Sequence, residues 1–316
     1  MRIVSLLPSA TEIVCALGLQ EHLVGVSHGC NYPAGVDALP RMTSTRVPYN
    51  AGSDEIDAYV REHLGDNLAD NLSDNTALYD LDLDALAAVR PDVVVSQALC
   101  DVCAVATGDV RDAIRSLPGE PTLIDLTPNS LTDVFDDMLR VGEATGAQAA
   151  AQNLVSSLRA RRDHVAERSD TIAKADRPRV MFFEWLLPPF SGGHWNPELV
   201  NLAGGHDLLG SPGEPSRTLD WQMVTDASPE LAFIACCGFG IERALLDIAA
   251  LGENPAWLSL PAVREKRIFV ADGNAYFSSP GPRLLDGLEL MAHALHPTVH
   301  PAPETGSVWQ PGNQPG

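Results

Sequence analysis

Residues 2–27, RIVSLLPSATEIVCALGLQEHLVGVS, decide the fold because they hold a complete strand, helix and strand. The β-rich run RIVSLL stops at Pro8, and apolar residues then recur at helical spacing. Ser9 followed by Glu12 predicts a capping box at the start of the helix, and Gly18 predicts its end. LVGVS is the second strand. This succession is typical of parallel strands joined by a right-handed crossover.

The alternation of strands and helices continues along the whole chain. PDVVVSQ and PTLIDL are predicted strands in the first part, and RVMFFEW, ELAFIACCG and KRIFVADG are their counterparts in the second. Residues 130–170 lack proline and have apolar residues at helical spacing, with Gly146 as the one expected break. The pattern predicts the α/β fold class, with two lobes joined by one long helix.

The predicted domain boundaries follow from these segments. An N-terminal lobe covers 1–129 with an acidic insertion over about 50–78, the linking helix covers 130–170, and a C-terminal lobe covers 171–296. The remaining segment, 297–316, is rich in proline and glycine. Such a composition predicts a disordered tail.

Charge and hydropathy exclude several functions. The chain of 316 residues carries a formal charge of −21, so nucleic acid and anionic membranes are not expected partners. No apolar run reaches the ~18 residues of a membrane span, so no membrane insertion is expected. Polar residues and Pro8 interrupt the first apolar stretch, which argues against a secretory signal. We therefore expect a cytoplasmic protein, or an extracytoplasmic one if a leader was removed.

Three longer stretches carry a family resemblance. They are residues 2–33, the segment LDLDALAAVRPDVVVSQ, and the segment from WLSLPAVREKRIFV to the last predicted helix. In these the chain resembles the class III substrate-binding proteins of iron-siderophore and cobalamin ABC importers. The resemblance implies two Rossmann-like lobes, a ligand cleft between them, and binding without catalysis. SHGCNYP and LCDVCAVA resemble most a cobalamin-binding subgroup, several of whose members lack an export signal.

Loops at the carboxyl ends of parallel strands are where α/β proteins bind ligands. The predicted loops are rich in aromatic residues, which suit the flat apolar face of a corrinoid, while an anionic siderophore would require arginines. Arg46 and Arg217 are the only evident candidates for that role, which favours cobalamin. For each aromatic residue the alternative is a core position. The candidate ligand-binding residues are Ser9, Tyr32, Gln97, Trp185, His194, Trp195, Trp221, Tyr276 and Phe277.

A second hypothesis concerns the cysteines that follow predicted strands. Cys100 and Cys103 form a C-x-x-C turn, and Cys30 with His28 lies in the neighbouring turn. Together they are candidate ligands of zinc or of an iron–sulfur cluster. A thiol-redox enzyme and simple packing are the alternatives. His28 and His194 are also candidate ligands of cobalt.

The resemblance also implies that an ABC permease is a possible partner. In the cobalamin importers an acid on each lobe pairs with arginines of the membrane subunit. Matching the motifs places Asp84 and Gln222 at these positions. One acid is present and the other is replaced by an amide.

Overall fold

A computed structural model describes residues 1–64, 78–97, 107–117 and 119–311. The chain divides into two compact units, which we call the first and the second unit. The first comprises Met1–Pro128 and Thr132–Ser156, and the second comprises Asn129–Leu131 and Ser157–Gly316. None of the described helices is long and apolar enough to cross a bilayer.

The first unit is built on a parallel sheet whose strand order is β2-β1-β5-β6. Its strands are β1 (Ile3–Ser5), β2 (Leu23–Val26), β3 (Thr43–Thr45), β4 (Tyr79–Leu81), β5 (Val93–Gln97) and β6 (Thr122–Leu126). Its helices are α1 (Pro8–Ala16), α2 (Ser53–Leu64), α3 (Leu83–Val89), α4 (Thr107–Ser116) and α5 (Leu131–Ala144). In the region of the predicted insertion α2 is followed by β4, which pairs with β3 in a separate antiparallel ladder.

The predicted capping box at Ser9 is wrong. Proline is favoured at the first helical position, and Pro8 starts α1 there, so that Leu7 is the N-cap and no side chain caps the helix. Ser9 is consequently inside the first turn, and its hydroxyl is buried. The helix does end as expected, because Gly18 has a φ of +76° and its N–H donates to the carbonyl of Cys15.

The second unit has a mixed sheet of order β11-β10-β7-β8, in which β9 also pairs with β7. Its strands are β7 (Arg179–Leu186), β8 (Pro189–Ser191), β9 (His206–Asp207), β10 (Leu231–Ile234) and β11 (Ile268–Val270). The helices after α5 are α6 (Gln148–Ser169), α7 (Asn196–Leu202), α8 (Trp221–Ala227), α9 (Ile241–Ala250), α10 (Pro255–Ser259), α11 (Pro261–Arg264), α12 (Gly273–Tyr276) and α13 (Leu284–Leu295). Parallel pairs β7–β10 and β10–β11 confirm the predicted α/β class.

The linking helix predicted over 130–170, with Gly146 as its expected break, consists of two helices, α5 and α6. The break is at Gly146, which adopts a φ of +71° that other residues rarely tolerate. Gly142 of α5 approaches Ala151 of α6 so closely that an added Cβ would lie 2.4 Å from the Ala151 methyl carbon. The division between the two units falls inside α6, between Ser156 and Ser157.

Residues 297–311 are largely exposed but are held to the rest of the second unit at three points, so the expected disorder of the tail does not describe them. His300 is buried and its Nε2 lies 3.1 Å from the Ser169 hydroxyl. The Val299 carbonyl accepts a hydrogen bond from Arg168. Trp309 pairs with Val270 of β11 through two backbone hydrogen bonds. Composition did not reveal these contacts because single residues make them, without a periodic pattern.

One local arrangement occurs once in each unit, and we call it the helix–acid repeat. In the first unit it covers residues 82–92, DLDALAAVRPD, which form α3 and lead into β5. The Asp92 carboxylate accepts the backbone N–H of Arg2 at 2.7 Å, and the N–H of Asp92 donates to the Arg2 carbonyl at 2.8 Å. The Arg2 side chain donates a hydrogen bond to the Val89 carbonyl at the end of α3.

The second copy covers residues 220–230, DWQMVTDASPE, which form α8 and lead into β10. The Glu230 carboxylate accepts the N–H of Arg179 at 2.9 Å, and the N–H of Glu230 donates to the Arg179 carbonyl at 2.9 Å. The Arg179 side chain donates to the Ala227 carbonyl at the end of α8.

The helix ends are alike in both copies. Asp82 and Asp220 are N-caps whose carboxylates accept a backbone N–H of the first turn. Arg90 and Ser228 end the helices with φ values of 43° and 47°, and a proline follows each of them. The proline cannot continue the helix, so the acid after it starts the next strand.

We predict that Asp92→Ala and Glu230→Ala each lower the free energy of unfolding by about 1 kcal/mol, because a charge-assisted bond to a strand N–H is lost. Urea denaturation followed by circular dichroism measures the change. Asp37→Ala is the control, since Asp37 is exposed and no side-chain bond to a described residue is seen. Equal stability of all three variants would contradict the prediction.

Candidate ligand-binding site

An aromatic stack lies where β7 and β10 end in the second unit. The half-buried ring of Trp185 packs on Phe239 with their centroids 4.7 Å apart. The Arg243 guanidinium carbon is 4.5 Å from the centroid of the Phe239 ring, a distance at which a cation is attracted to an aromatic face. The Trp185 Nε1 donates to the Leu187 carbonyl at 3.0 Å, which fixes the orientation of the indole.

A cavity of about 430 Å³, largely open to solvent, adjoins this stack at the beginnings of α9 and α12. Its lining residues are Gly240, Ile241, Glu242, Arg243 and Asp272. The loops after β10 and β11 are in close contact, because a Cβ on Gly273 would lie 2.1 Å from the Cys236 carbonyl oxygen. The two loops that form the walls of the cavity are therefore held together by close backbone contact.

The charges of this cavity are mostly negative. Glu242 and Asp272 are acidic, and the one basic side chain, Arg243, binds Asp247 at 2.9 Å. The cavity therefore offers hydrogen-bond acceptors and one charge-compensated arginine.

A buried carboxylate holds the loop that follows β8. Glu184 Oε1 accepts the Gly193 N–H at 2.8 Å and the Asn196 amide at 2.6 Å. Burial raises the pKa of Glu184 above its ordinary value, and these hydrogen bonds oppose the rise. Gly193 is packed so tightly that a Cβ there would lie 2.1 Å from the Ser216 nitrogen. The loop is consequently fixed on both sides.

His194 is presented by this fixed loop. Its φ of 52° lies in the left-handed region, which non-glycine residues seldom adopt. Its N–H donates to the Glu214 carbonyl at 2.6 Å, and its own carbonyl accepts from Gly213 at 2.9 Å. The imidazole is half-buried, and burial lowers its pKa below the ordinary value. The ring is therefore neutral at pH 7.

Asp207 of β9 is a second buried acid in this unit. Its Oδ1 accepts the N–H groups of Leu209 and Gly210, while its Oδ2 has no hydrogen-bond partner among the described residues. Burial raises the pKa of Asp207 to about 6. Folding therefore favours the protonated form of this side chain.

Two of the predicted ligand-binding residues belong to the core instead. Phe277 is fully buried, with its ring centroid 5.4 Å from that of Phe233. Trp195 is also buried, and its Nε1 donates to the Phe277 carbonyl at 2.9 Å. Neither side chain has surface left for a ligand, so the core alternative applies to both.

The other aromatic candidates retain exposed surface. Trp221 is half-buried and packs edge-on to Trp257, with the two ring centroids 6.0 Å apart. Tyr276 is half-buried, with the Arg283 guanidinium carbon 5.8 Å from its ring centroid. Tyr32, in the first unit, is 46% exposed. A ligand role for these three residues stays a prediction.

Ser9 and Gln97 are buried polar residues at strand ends of the first unit. The Ser9 hydroxyl has no hydrogen-bond partner in the described part of the chain. Gln97 is the last residue of β5, where it pairs with Leu126 of β6. Gln97 ends β5 and Ser9 lies in the first turn of α1, which follows β1; the ligand role of both stays a prediction.

The two described residues of the predicted metal site are engaged with hydroxyl groups. Cys30 is buried, with its Sγ 3.0 Å from the Thr11 hydroxyl and 3.1 Å from that of Ser27. His28 has Nδ1 2.8 Å from the Thr43 hydroxyl and Nε2 3.2 Å from that of Tyr49. Among the described residues no group of three His, Cys, Asp or Glu side chains could hold a metal ion.

Cys100 and Cys103 lie outside the described residues, so a zinc or iron–sulfur site and a redox role of that turn stay predictions. Burial raises the pKa of Cys15 to about 11. It also raises the pKa of Cys236 well above its ordinary value. Both thiols therefore stay protonated at neutral pH and are poor nucleophiles.

Sequence reasoning missed three residues that shape this region: Glu184, Phe239 and Arg243. Glu184 and Phe239 were inside the expected strand-end loops, but nothing marked their roles. The i,i+4 spacing of Arg243 and Asp247 was the one available signal, and it indicates a helix rather than a site. Their contacts join separate elements, which local patterns do not reveal.

Parallel strands whose carboxyl ends carry an aromatic stack and a cavity are typical of ligand-binding proteins of the α/β class. The family model described as periplasmic binding protein matches residues 3–275. The chain belongs to this family. The match confirms the resemblance to the substrate-binding proteins of ABC importers that the sequence carries.

Individual relatives agree with this assignment. An uncharacterized ABC transporter substrate-binding lipoprotein of Bacillus subtilis is 24% identical over 306 residues, covering 94% of this chain and 80% of the relative. A periplasmic heme binding protein from Pseudomonas aeruginosa has a TM-score of 0.73 at 19% identity, covering 100% of this chain and 99% of that one. The periplasmic vitamin B12 binding protein of Vibrio cholerae has a TM-score of 0.65 at 20% identity, covering 93% and 96%.

We predict that Gly193→Ala lowers the free energy of unfolding by about 1–3 kcal/mol, because its methyl group would overlap the backbone of Ser216. Gly252→Ala is the matched control, since a Cβ there meets nothing within 4 Å. Urea denaturation of both variants is the measurement. A Gly193→Ala variant as stable as the control would show that the loop is not packed in this way.

We predict that Asp207 makes a contribution to stability that falls as pH rises from 4 to 6, and that Asp207→Asn removes this contribution. The raised pKa of about 6 means that the folded state binds a proton more tightly than the unfolded state. The stabilisation is therefore complete at low pH and is lost as the carboxyl ionises. Unfolding midpoints of both proteins across this range are the measurement, and parallel pH profiles would rule out a role for Asp207.

Proposed function

We propose that this protein binds a corrinoid, cobalamin being the principal candidate, at the strand ends of the second unit and does not transform it. The observation that carries the proposal is the fixed stack of Trp185, Phe239 and Arg243 beside a cavity. Relatives with this fold support the class of ligand, since two of them are named as heme and vitamin B12 binding proteins.

The aromatic stack suits a flat macrocycle. The Trp185 indole is held by its hydrogen bond to the Leu187 carbonyl and by the Phe239 ring, so little rotamer entropy is lost when a ligand covers it. A planar ring system would pack on its exposed part and displace water from an apolar surface.

The charges favour a neutral ligand over an anionic one. Cobalamin has a rim of amides, which can donate hydrogen bonds to Glu242 and Asp272. Carboxylates of heme or of a ferric siderophore would meet these acids and an arginine already bound to Asp247. The formal charge of −21 adds long-range repulsion of such anions.

Delivery to an ABC permease is part of the same proposal. Asp84 and Gln222 are both exposed, and each is the second residue of the helix in its copy of the helix–acid repeat. The two positions are therefore equivalent in their units. We propose that the acid contributes an ion pair to docking and that the amide contributes a hydrogen bond. Docking to an importer requires the extracytoplasmic location, which we propose here in place of the cytoplasmic one expected from the sequence.

Calorimetric titration with cyanocobalamin tests the proposal. We expect a dissociation constant well below ~100 μM and a stoichiometry of one. Hemin, titrated in parallel, is expected to bind more weakly because of its carboxylates. Tighter binding of hemin would favour heme as the ligand, and no heat with either compound would contradict the proposal.

We predict that Trp185→Ala weakens cyanocobalamin binding about tenfold, because a central aromatic contact is lost. Leu246→Ala is the matched control. Leu246 is an exposed apolar residue on α9, the same helix that carries Arg243. Equal affinities of the two variants for cyanocobalamin would show that the aromatic stack is not part of the binding site.

A further inference from the structure

We propose that the C-terminal segment 297–311 is a strap that is docked on the second unit at neutral pH and is released when protons bind a histidine cluster around its start. The cluster consists of His164 on α6, His293 and His296 at the end of α13, and His300 in the strap. These are four of the nine histidines in the chain. Because histidine gains its charge between pH 8 and pH 5, this grouping makes docking of the strap sensitive to acid.

His300 anchors the strap through both its side chain and its backbone. The imidazole is buried, with its Nε2 3.1 Å from the Ser169 hydroxyl of α6. The His300 carbonyl lies 3.0 Å from Nδ1 of His293, and the His300 N–H donates to the His296 carbonyl at 2.9 Å. A charge on this ring would therefore be enclosed by two helices and shielded from water, which is unfavourable.

Arg168 joins the same cluster from α6. Its Nη1 donates to the Val299 carbonyl at 2.8 Å, and its Nε donates to Nε2 of His164 at 3.0 Å. Arginine has only donors, so Nε2 of His164 must keep its lone pair to make this bond. A proton on that nitrogen would break the bond and place two positive charges side by side. The contact that helps to hold Val299 therefore requires a neutral His164 ring.

Burial and positive neighbours oppose a proton on His300. Together they lower the pKa of this imidazole from 6.5 to about 4, and burial is the largest cause. The neighbours that contribute are His296, Arg168, His164 and His293. A released strap binds the proton more tightly than a docked one, so docking is complete at neutral pH and is lost as the pH falls from 6.5 towards 4. With these two values the docking equilibrium weakens about twentyfold between pH 7 and pH 5.

Carboxylates on the neighbouring helices are bound to other arginines. Asp286 and Glu289 of α13 bind Arg161 at 2.6 and 2.8 Å. Asp170, which directly follows α6, binds Arg177 at 3.3 Å. Each of these acids already balances a positive charge. A charged histidine cluster would therefore gain little compensation from them.

Release of the strap would uncover groups beside the ligand cavity. A Cβ on Gly306 would lie 3.0 Å from the Tyr276 hydroxyl oxygen, so the strap runs directly over the end of α12. Trp309 pairs with Val270, two residues before Asp272 in the cavity lining. In acid the Tyr276 hydroxyl and the end of β11 would consequently become accessible.

Hydrogen–deuterium exchange followed by mass spectrometry tests the inference on the full chain without ligand. Peptides from 297–311 are followed at pH 7, 6 and 5, with rates corrected for the intrinsic pH dependence of amide exchange. Peptides of β10 report global unfolding, because buried strands open only with the whole unit. The variant is His300→Gln, whose amide can bond to the Ser169 hydroxyl but takes no charge. His22→Gln is the matched control, since His22 is an exposed histidine of the first unit.

We expect the protection of the strap in the wild-type protein to fall about twentyfold between pH 7 and pH 5, while β10 stays protected. His300→Gln should lose less than about fivefold over the same range, because the largest proton-linked contribution is gone. His22→Gln should behave as wild type. Equal losses in the wild-type protein and in His300→Gln would overturn the inference, and so would a strap whose protection does not depend on pH.

A second measurement decides the question if His300→Gln fails to dock at pH 7. Titration of the wild-type protein, followed by NMR of the His300 ring, gives the midpoint of its protonation directly. We expect this midpoint at or below about pH 5.5, since docking must hold it under the ordinary value. A higher midpoint would overturn the inference, whatever the variant does.

Discussion

The acid immediately before β5 or β10 is the constraint on which the rest of each unit depends. Asp92 accepts the N–H of Arg2, just before β1, and Glu230 accepts that of Arg179, the first residue of β7; each acid donates its own N–H to the carbonyl of the same arginine. These paired bonds set the register at the amino ends of two adjacent strands. Because strand length is fixed by the sequence, the register also sets where the carboxyl ends lie. The loops that hold the aromatic stack and the cavity start from those ends.

The sequence predicts the architecture well because its signals are periodic. Strands such as PDVVVSQ and RVMFFEW are continuous apolar runs, and the helices between them carry apolar residues at helical spacing. Predictions that depend on a single residue were less accurate. The predicted capping box at Ser9 does not form, because Pro8 prefers the first helical position and so places Ser9 inside the first turn. The break expected at Gly146 is present, because a positive φ there interrupts the helical pattern.

The candidate site is less predictable because its parts come from distant positions. Strand order shows which loops share an edge of the sheet, and these loops do contain the aromatic residues. It does not show which rings point into the core, and Phe277 and Trp195 do so. Nor does it show that Glu184 reaches the backbone of Gly193, or that Phe239 lies between Trp185 and Arg243. Such contacts depend on packing between elements that no local pattern encodes.

The pairing of Trp309 with Val270 has a consequence for self-association. The outermost strand of an open sheet carries amide and carbonyl groups that another molecule can match, which is a common route to aggregation. In the second unit the chain covers part of that margin with its own C-terminal residues. The proline and glycine content of this segment keeps it from extending the sheet further. The C-terminal segment, whose composition predicted disorder, thus occupies backbone groups of β11 that a strand of another molecule could otherwise pair with.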